Sequence, residues 1–116
     1  MREIKEDVDL FTEYNNLYAL YKNLLTERQI LIMDKYFVYD LNEVEVAEEL
    51  NITRNAVHDA LATIVRKLDY YEAQLHLHAK YKRLQKLIEA SELSPIEQEK
   101  LLEILYYGIW GTYRKI

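Results

Sequence analysis

The sequence predicts an all-α protein of four to five helices. Its 116 residues include two glycines and one proline, and so few helix breakers favour long helices with short connections. Apolar residues recur at spacings of three and four, which is the period of a helix that buries one face. Three segments also carry a capping-box pattern, in which a short polar residue precedes Glu or Gln by three positions.

Two helices are predicted before position 40. The first lies near Glu3 to Leu25. The second begins after the capping residue Thr26, has Gln29 as the capping-box partner, and runs from Glu27 to Val38. The inward-facing side chains of these helices are predicted to be Ile4, Val8, Phe11, Leu17 or Tyr18, Tyr21, Leu24, Leu25, Ile30, Leu31, Met33 and Phe37.

A helix-turn-helix is predicted over residues 42–68. Asn42 can cap a short helix that ends by Leu50, and Glu45 is placed to reach back to the Asn42 backbone. The side chains predicted to face inward from this helix are Val44, Ala47 and Leu50.

The residues at the turn support this motif. Ala47 is small enough for two helices to cross closely, and Asn51 can take the left-handed conformation of a sharp turn. Ile52 is expected to fill the inside of the turn, and Thr53 to cap the next helix. The spacing of Ala47, Asn51 and Val57 is typical of a helix-turn-helix, with Asn in place of the usual Gly.

The second helix of the motif is predicted to be long. No Gly or Pro occurs between Arg54 and Pro95, so we expect a fourth helix that continues to about Ala90 and measures about 55 Å. The core of one small domain cannot cover that length. The far half is therefore expected to pack on the C-terminal segment or on a second copy of the chain, which predicts a homodimer through this helix.

A last helix is predicted to start at Ser94 and Pro95 and to end at Gly108. Four apolar residues at this end of the chain could fold back on the fourth helix: Ile104, Leu105, Ile109 and Trp110. We therefore expect two regions. Residues 1–90 form a helix-turn-helix domain with an extended recognition helix. Residues 91–116 form a C-terminal helix and tail that pack on the long helix or on a partner chain.

Composition excludes several functions. The absence of cysteine removes disulfides, thiolate chemistry and Cys-based zinc sites. A charged N-terminus argues against a signal peptide, and no apolar run approaches the ~20 residues of a membrane span, so a soluble cytoplasmic protein is expected. His76 and His78 are two residues apart on a helix and point to different sides, unlike metal-binding pairs. No nucleophile–base pair is visible, so we expect no catalysis, metal or cofactor.

Eleven tyrosines are spread along the chain. We expect them to fill helix interfaces with each hydroxyl reaching water. The alternative is that they are platforms on which nucleic-acid bases stack.

The start of the fourth helix carries candidate nucleic-acid-binding residues, because a helix-turn-helix presents these side chains to a groove. Arg54 suits guanine and Asn55 suits adenine, while Thr53 could contact a phosphate. The full set of candidates here is Thr53, Arg54, Asn55, His58, Arg66 and Lys67. The alternative is a solvated helix face without a ligand.

Charge weighs against a strong autonomous DNA binder, because the net charge is -5. Acidic side chains also surround the candidate recognition residues, at Glu43, Glu45, Glu48, Glu49 and Asp59. A more basic run lies further along, at Lys80, Lys82, Arg83 and Lys86. This run could bind RNA or an acidic protein, or it could be an exposed face that balances a net-acidic chain.

The segments LTERQ (25–29), AEEL (47–50) and TRNAV (53–57) resemble region four of sigma factors. A fuller pattern over residues 17–88 resembles the YlxM-type family of bacterial helix-turn-helix proteins: LLTERQ, a run containing Tyr36, AEEL, ITRNAVHDAL and LDYYEAQLHLH. Sigma-type motifs usually have Gly and Ser where this chain has Asn51 and Thr53, and both changes preserve the turn and the cap.

Genes of the YlxM-type family lie beside those for the signal recognition particle GTPase or its receptor. The resemblance therefore implies a non-enzymatic modulator of that particle, which binds its GTPase or its small RNA. If the residues of this chain have the same roles as the matching positions of sigma-type motifs, the nucleic-acid-contacting residues are Thr53, Arg54, Asn55 and His58. Two alternatives stay open: a transcriptional regulator that reads DNA, and a structural module that binds neither nucleic acid.

Overall fold

A computed structural model of the protein describes residues 4–106 and confirms the all-α class over that range. The α-helices are α1 (Val8–Tyr21), α2 (Glu27–Met33), α3 (Glu43–Leu50), α4 (Arg54–Leu75), α5 (Leu77–Glu89) and α6 (Pro95–Tyr106). Short 3₁₀ segments, Ile4–Glu6 and Lys22–Leu24, flank α1, and a π-helical segment, Asp34–Val38, continues α2. None of these helices combines the length and the apolar character needed to cross a membrane.

The predicted capping residues start α2, α3 and α6. Thr26 and Asn42 each accept a hydrogen bond from the backbone N–H three residues on, and each forms a complete capping box. Ser94 accepts from the backbone N–H of Glu97 at 3.2 Å. These local polar contacts satisfy backbone donors that have no partner within the helix.

The turn between α3 and α4 has the predicted geometry. Asn51 is left-handed, with φ 55° and ψ 47°, and the backbone N–H of Ile52 donates to the carbonyl of Ala47 at 3.0 Å. The Thr53 hydroxyl oxygen accepts from the N–H of Ala56 at 3.0 Å and caps α4, and three residues separate the end of α3 from the start of α4. Val57 is fully buried beneath this turn.

The first compact unit, residues 1–74, holds most of the buried side chains of the described range. Val44, predicted to face inward, is 48% exposed, whereas Val46 is fully buried. The buried face of α3 is formed by Glu43, Val46 and Ala47, because these positions lie together at helical spacing. Three more residues predicted to be inward-facing are also exposed: Val8, Leu24 and Leu31.

Three tyrosines of α1 use their hydroxyls differently from the expectation that these reach water. Tyr14 donates to Asp69 at 2.9 Å and Tyr21 donates to Glu72 at 2.6 Å, both carboxylates belonging to α4. Tyr18 donates to Asp34 of the π-helical segment at 2.6 Å. Burial, together with the hydrogen bond to Asp69, raises the pKa of Tyr14 to about 12. The hydroxyls therefore attach α1 to its neighbours.

The prediction of one unbroken helix from Arg54 to Ala90 is wrong. His76 adopts a left-handed conformation, with φ 55° and ψ 29°, and separates α4 from α5. A non-glycine residue can take this conformation, so the absence of glycine did not exclude a break. The compact units divide after Gln74, while the division into domains at residue 90 stays a prediction.

The second compact unit, residues 75–116, contains α5 and α6 in contact with each other. Leu102 of α6 is buried, and the rings of Tyr81 and Tyr106 meet edge to face at 6.0 Å. The Tyr106 hydroxyl also donates to the side-chain oxygen of Gln85. The predictions for Gly108, Ile109 and Trp110 lie outside the described residues.

We predict that Asn51→Ala destabilises the protein by about 1 kcal/mol, because the short polar side chain of asparagine can hydrogen-bond locally in the left-handed conformation and alanine cannot. Asn51→Gly should be as stable as the parent or slightly more stable, since glycine takes this conformation freely. Urea unfolding followed by circular dichroism measures both variants. Equal stability of the alanine variant would contradict a left-handed turn at this position.

Candidate nucleic-acid interface

The buried face of α4 determines which of its side chains meet solvent. Its buried side chains are Val57, Leu61, Ile64 and Leu68. At the start of the helix, by contrast, three consecutive residues are exposed to solvent: Thr53, Arg54 and Asn55. The oxygen of Thr53 caps the helix, but its hydroxyl hydrogen can still be donated to a phosphate. The structure thus presents these three predicted residues together at one helix end.

An outward face of α4 runs on from this end. Asn55, Asp59 and Arg66 recur at spacings of four and seven, lie on the same side of the helix, and are exposed. The Arg66 guanidinium donates to the Thr63 hydroxyl at 3.2 Å. Asp59 therefore places a negative charge between two side chains that suit nucleic acid, which opposes phosphate at that point.

His58 is engaged within the motif. Its Nδ1 lies 3.0 Å from a carboxylate oxygen of Glu43, at the first position of α3. Glu43 is only 6% exposed, so this contact supplies a partner to a buried carboxylate. The Nε2 atom is the ring nitrogen outside this contact, and base recognition by His58 stays a prediction.

Sequence reasoning grouped Glu43 with the glutamates expected to oppose phosphate and missed its pairing with His58. The available signal was position: Glu43 stands three and four residues before Val46 and Ala47, on the side of α3 that is buried. A carboxylate on a buried face needs a partner, and His58 lies one turn into the next helix.

The other glutamates of α3 repel phosphate less than the sequence implies. Glu49 forms an ion pair with Lys35 at 2.9 Å, and Glu45 accepts from the backbone N–H of Asn42. Glu48 is exposed to solvent. Because Lys35 offsets the charge of Glu49, the acidic helix opposes an anion at α4 with less than its formal charge.

Lys67 contributes to packing in the described structure. Its ammonium donates to the side-chain oxygen of Gln29 at 3.1 Å, and that same oxygen accepts from the Thr26 backbone in the capping box of α2. The contact attaches α4 to the start of α2. A phosphate contact by Lys67 stays a prediction.

The remaining predicted residues form a separate group on α5 in the second unit. Lys80, Lys82, Arg83 and Lys86 are all exposed, and none takes part in an ion pair among residues 4–106. The break at His76 places them on a different helix from Arg54 and Asn55. Within the same described range, no three His, Asp or Glu side chains are grouped to hold a metal ion.

Comparison with known proteins gives one consistent family. The UPF0122 model, described as "Putative helix-turn-helix protein, YlxM / p13 like", matches residues 9–106. A "Probable UPF0122 protein" of Mycoplasma mycoides is 34% identical over 101 residues, covering 87% of this chain and 89% of that protein. A UPF0122 protein of Halalkalibacterium halodurans is 36% identical over 104 residues, covering 84% and 95%. No solved structure shows a significant match.

We predict that His58→Ala destabilises the protein by about 1–3 kcal/mol, because it leaves the buried Glu43 carboxylate without its partner. In a Glu43→Gln background, His58→Ala should cost much less stability. A double-mutant cycle measured by urea unfolding should therefore give a clear coupling energy between the two residues. Asn55→Ala, at an exposed site on the same helix, is the control and should change stability by less than about 0.5 kcal/mol. Additive losses from the two changes would show that the residues do not interact.

Proposed function

The chain belongs to the UPF0122 family of YlxM/p13-like helix-turn-helix proteins, and on this premise we propose a non-enzymatic regulatory protein that binds nucleic acid in the cytoplasm. One observation carries the proposal. The left-handed Asn51 and the Thr53 cap start α4 in a position where Arg54 and Asn55 are exposed. Side chains at that end of a second motif helix are the ones that meet a nucleic-acid groove.

The proposed ligand is the small RNA of the signal recognition particle, with the particle's GTPase as an alternative partner. The choice follows the family resemblance, and the exposed cations of α5 support it. Residues 80–88 carry four positive charges and no acid, which suits a phosphate backbone. Because the whole chain has a net charge of -5, such binding depends on this local group and weakens with salt.

The second candidate function is recognition of duplex DNA in transcription. The exposed pair of Arg54 and Asn55 favours it, because their side chains can form bidentate contacts with guanine and adenine in the major groove. A protein that binds neither RNA nor DNA would instead be a structural interaction module, with the motif as its scaffold.

The homodimer expected from the sequence is part of the proposal. Its contact is assigned to α5, the far half of the long helix that the sequence predicts. The support is that α5 exposes Leu84 and Leu87 along one side. Paired subunits are the usual form in which helix-turn-helix proteins bind two half-sites.

We predict that Lys82→Gln with Lys86→Gln weakens binding of the particle's RNA and lowers the slope of log affinity against log salt by about one to two. Filter binding over a salt series measures both quantities. The matched control is Arg28→Gln with Lys100→Gln, which removes two exposed cations elsewhere and leaves the same net charge. Unchanged RNA binding after reversing all four charges (Lys80, Lys82, Arg83 and Lys86 to Glu) would remove α5 from the proposal.

We predict that, if duplex DNA is the ligand, Arg54→Ala and Asn55→Ala each cost about 1–3 kcal/mol of binding to a sequence selected from random duplexes. Asp59→Asn should strengthen binding, because it removes a carboxylate from the same outward face. Selection at moderate salt followed by equilibrium titration tests this. Failure to enrich any motif counts against DNA recognition, without affecting the RNA experiment.

A further inference from the structure

An aromatic ring is exposed on α4. Among residues 4–106, Tyr39 and Tyr70 are the two aromatic residues that are mostly exposed, at 69% and 62%, and the other rings of this range are buried or half-buried. Exposure of one apolar residue assigns no role by itself, since scattered apolar residues are normal on protein surfaces. The neighbours of Tyr70 on its helix determine what this ring can bind.

Tyr70 continues the outward face of α4 that carries Asn55, Asp59 and Arg66. It follows Arg66 by four residues and Asp59 by eleven, and both spacings keep side chains on one side of a helix. Gln74 stands a further four residues on and is also exposed. The Tyr70 ring therefore has a cation one turn before it and an amide one turn after it, about 22 Å along α4 from Asn55.

Packing against a second ring holds Tyr70 in place. Its ring meets that of Tyr71 edge to face, with the centroids 6.1 Å apart. Tyr71 in turn packs against the buried Tyr21 at 5.8 Å and donates its hydroxyl hydrogen to the carbonyl of Leu24 at 3.3 Å. A ring that is already positioned loses little conformational freedom when a ligand binds, so more of the contact energy contributes to affinity.

The cation beside Tyr70 has hydrogen-bond donors to spare. Arg66 is exposed, and its bond to the Thr63 hydroxyl uses one of the five N–H donors that a guanidinium carries. The remaining donors suit a phosphate, which a guanidinium can bind through two parallel hydrogen bonds. A ligand that covers the Tyr70 ring can therefore place an anionic group one helical turn away.

The acids of α4 leave this end of the outward face comparatively open. Asp69 and Glu72 accept hydrogen bonds from tyrosine hydroxyls of α1, at 2.9 and 2.6 Å, so both carboxylates are directed toward α1. Asp59 lies on the outward face itself, about 16 Å before Tyr70, which exceeds the ~10 Å Debye length of 0.1 M salt. On this face, the Tyr70 end opposes a phosphate less than the Asn55 end, where Asp59 is one turn away.

An exposed ring beside a cation is a combination with which proteins bind unpaired nucleic-acid bases. Stacking on a side chain needs an open base face, and neighbouring base pairs cover both faces inside a duplex. Sequence-specific recognition of RNA likewise uses the unpaired bases of loops, bulges and ends. The ligand that suits this end of α4 is therefore an RNA with an unpaired base, and a continuous duplex does not offer the required surface.

We propose that Arg66, Tyr70 and Gln74 form a site for one unpaired RNA base. The base stacks on the Tyr70 ring, the Arg66 guanidinium pairs with a neighbouring phosphate, and the Gln74 amide hydrogen-bonds to the base edge. The site rests on the RNA binding proposed above and specifies that ligand further, as an RNA in which a loop or bulge interrupts or ends a paired stem.

A hairpin RNA with 2-aminopurine in its loop tests the site in the full-length protein, because stacking on a ring quenches the fluorescence of this base. The parent should quench the probe on binding. Tyr70→Ala should bind about tenfold more weakly and lose the quenching. Tyr70→Phe should retain both, since it keeps the ring. The fully paired duplex of the same stem should bind Tyr70→Ala and the parent equally, and circular dichroism checks that each variant is folded.

Tyr39→Ala is the matched control, because it removes the other mostly exposed ring and should leave hairpin binding unchanged. Arg66→Gln should lower the slope of log affinity against log salt by about one. The proposal is overturned by a folded Tyr70→Ala that binds the hairpin as tightly as the parent. An equal loss of duplex binding in that variant, or the same effect from Tyr39→Ala, would also overturn it.

The same measurements separate this site from the proposed function. A parent that binds hairpin and duplex alike, with Tyr70→Ala unchanged, retains RNA binding and loses the stacking site. A parent that binds neither RNA removes both. Lys82→Gln with Lys86→Gln should weaken hairpin and duplex binding equally while the bound probe stays quenched, because these cations contact phosphate and leave the Tyr70 ring in place.

Discussion

The left-handed backbone of Asn51 is the constraint on which the helix-turn-helix depends. One helix must end and another begin within three residues, and both ends leave backbone groups without partners. The Ile52 N–H satisfies the Ala47 carbonyl, and the Thr53 oxygen satisfies the Ala56 N–H. Because these bonds use the backbone and the cap, the side chains of Arg54 and Asn55 take no part in building the turn. Their exposure follows from the turn geometry.

Polar contacts within the first unit then determine how α4 is held. Glu43 is buried at the start of α3 and reaches His58, so the two motif helices share a contact beyond the turn. Further along α4, Asp69 and Glu72 accept hydrogen bonds from tyrosines of α1. Several acidic residues of this net-acidic chain are thus committed to internal contacts. Hydrogen bonds from neutral hydroxyls leave these carboxylates charged, whereas the ion pair of Glu49 with Lys35 weakens the field that α3 projects toward a polyanion.

Local features were predictable from the sequence, and those that depend on distant partners were not. The caps at Thr26, Asn42 and Ser94 and the turn at Asn51 follow from neighbouring residues, so sequence spacing was sufficient to find them. The break at His76 has no such signal, because neither Gly nor Pro marks it. The inward orientation of Val46 in place of Val44 depends on which side of α3 meets α4. In the candidate site, the helix-turn-helix motif alone predicts where Arg54 and Asn55 lie. The contact between His58 and Glu43 could be found only from the three-dimensional structure.

The charges of α5 illustrate why exposure alone does not assign a role. Four cations lie on α5, and helical geometry spreads them round the helix: Lys80 and Lys82 lie on nearly opposite sides, while Arg83 and Lys86, three residues apart, are neighbours. Lys80 and Arg83 border exposed leucines, where a contact would exclude water and strengthen an ion pair. Lys82 and Lys86 have no such apolar neighbours, and their charges remain in solvent, where long-range attraction to phosphate is the interaction they can supply. A basic helix can therefore contact a protein on one side and a polyanion on the other, with each function resting on different residues.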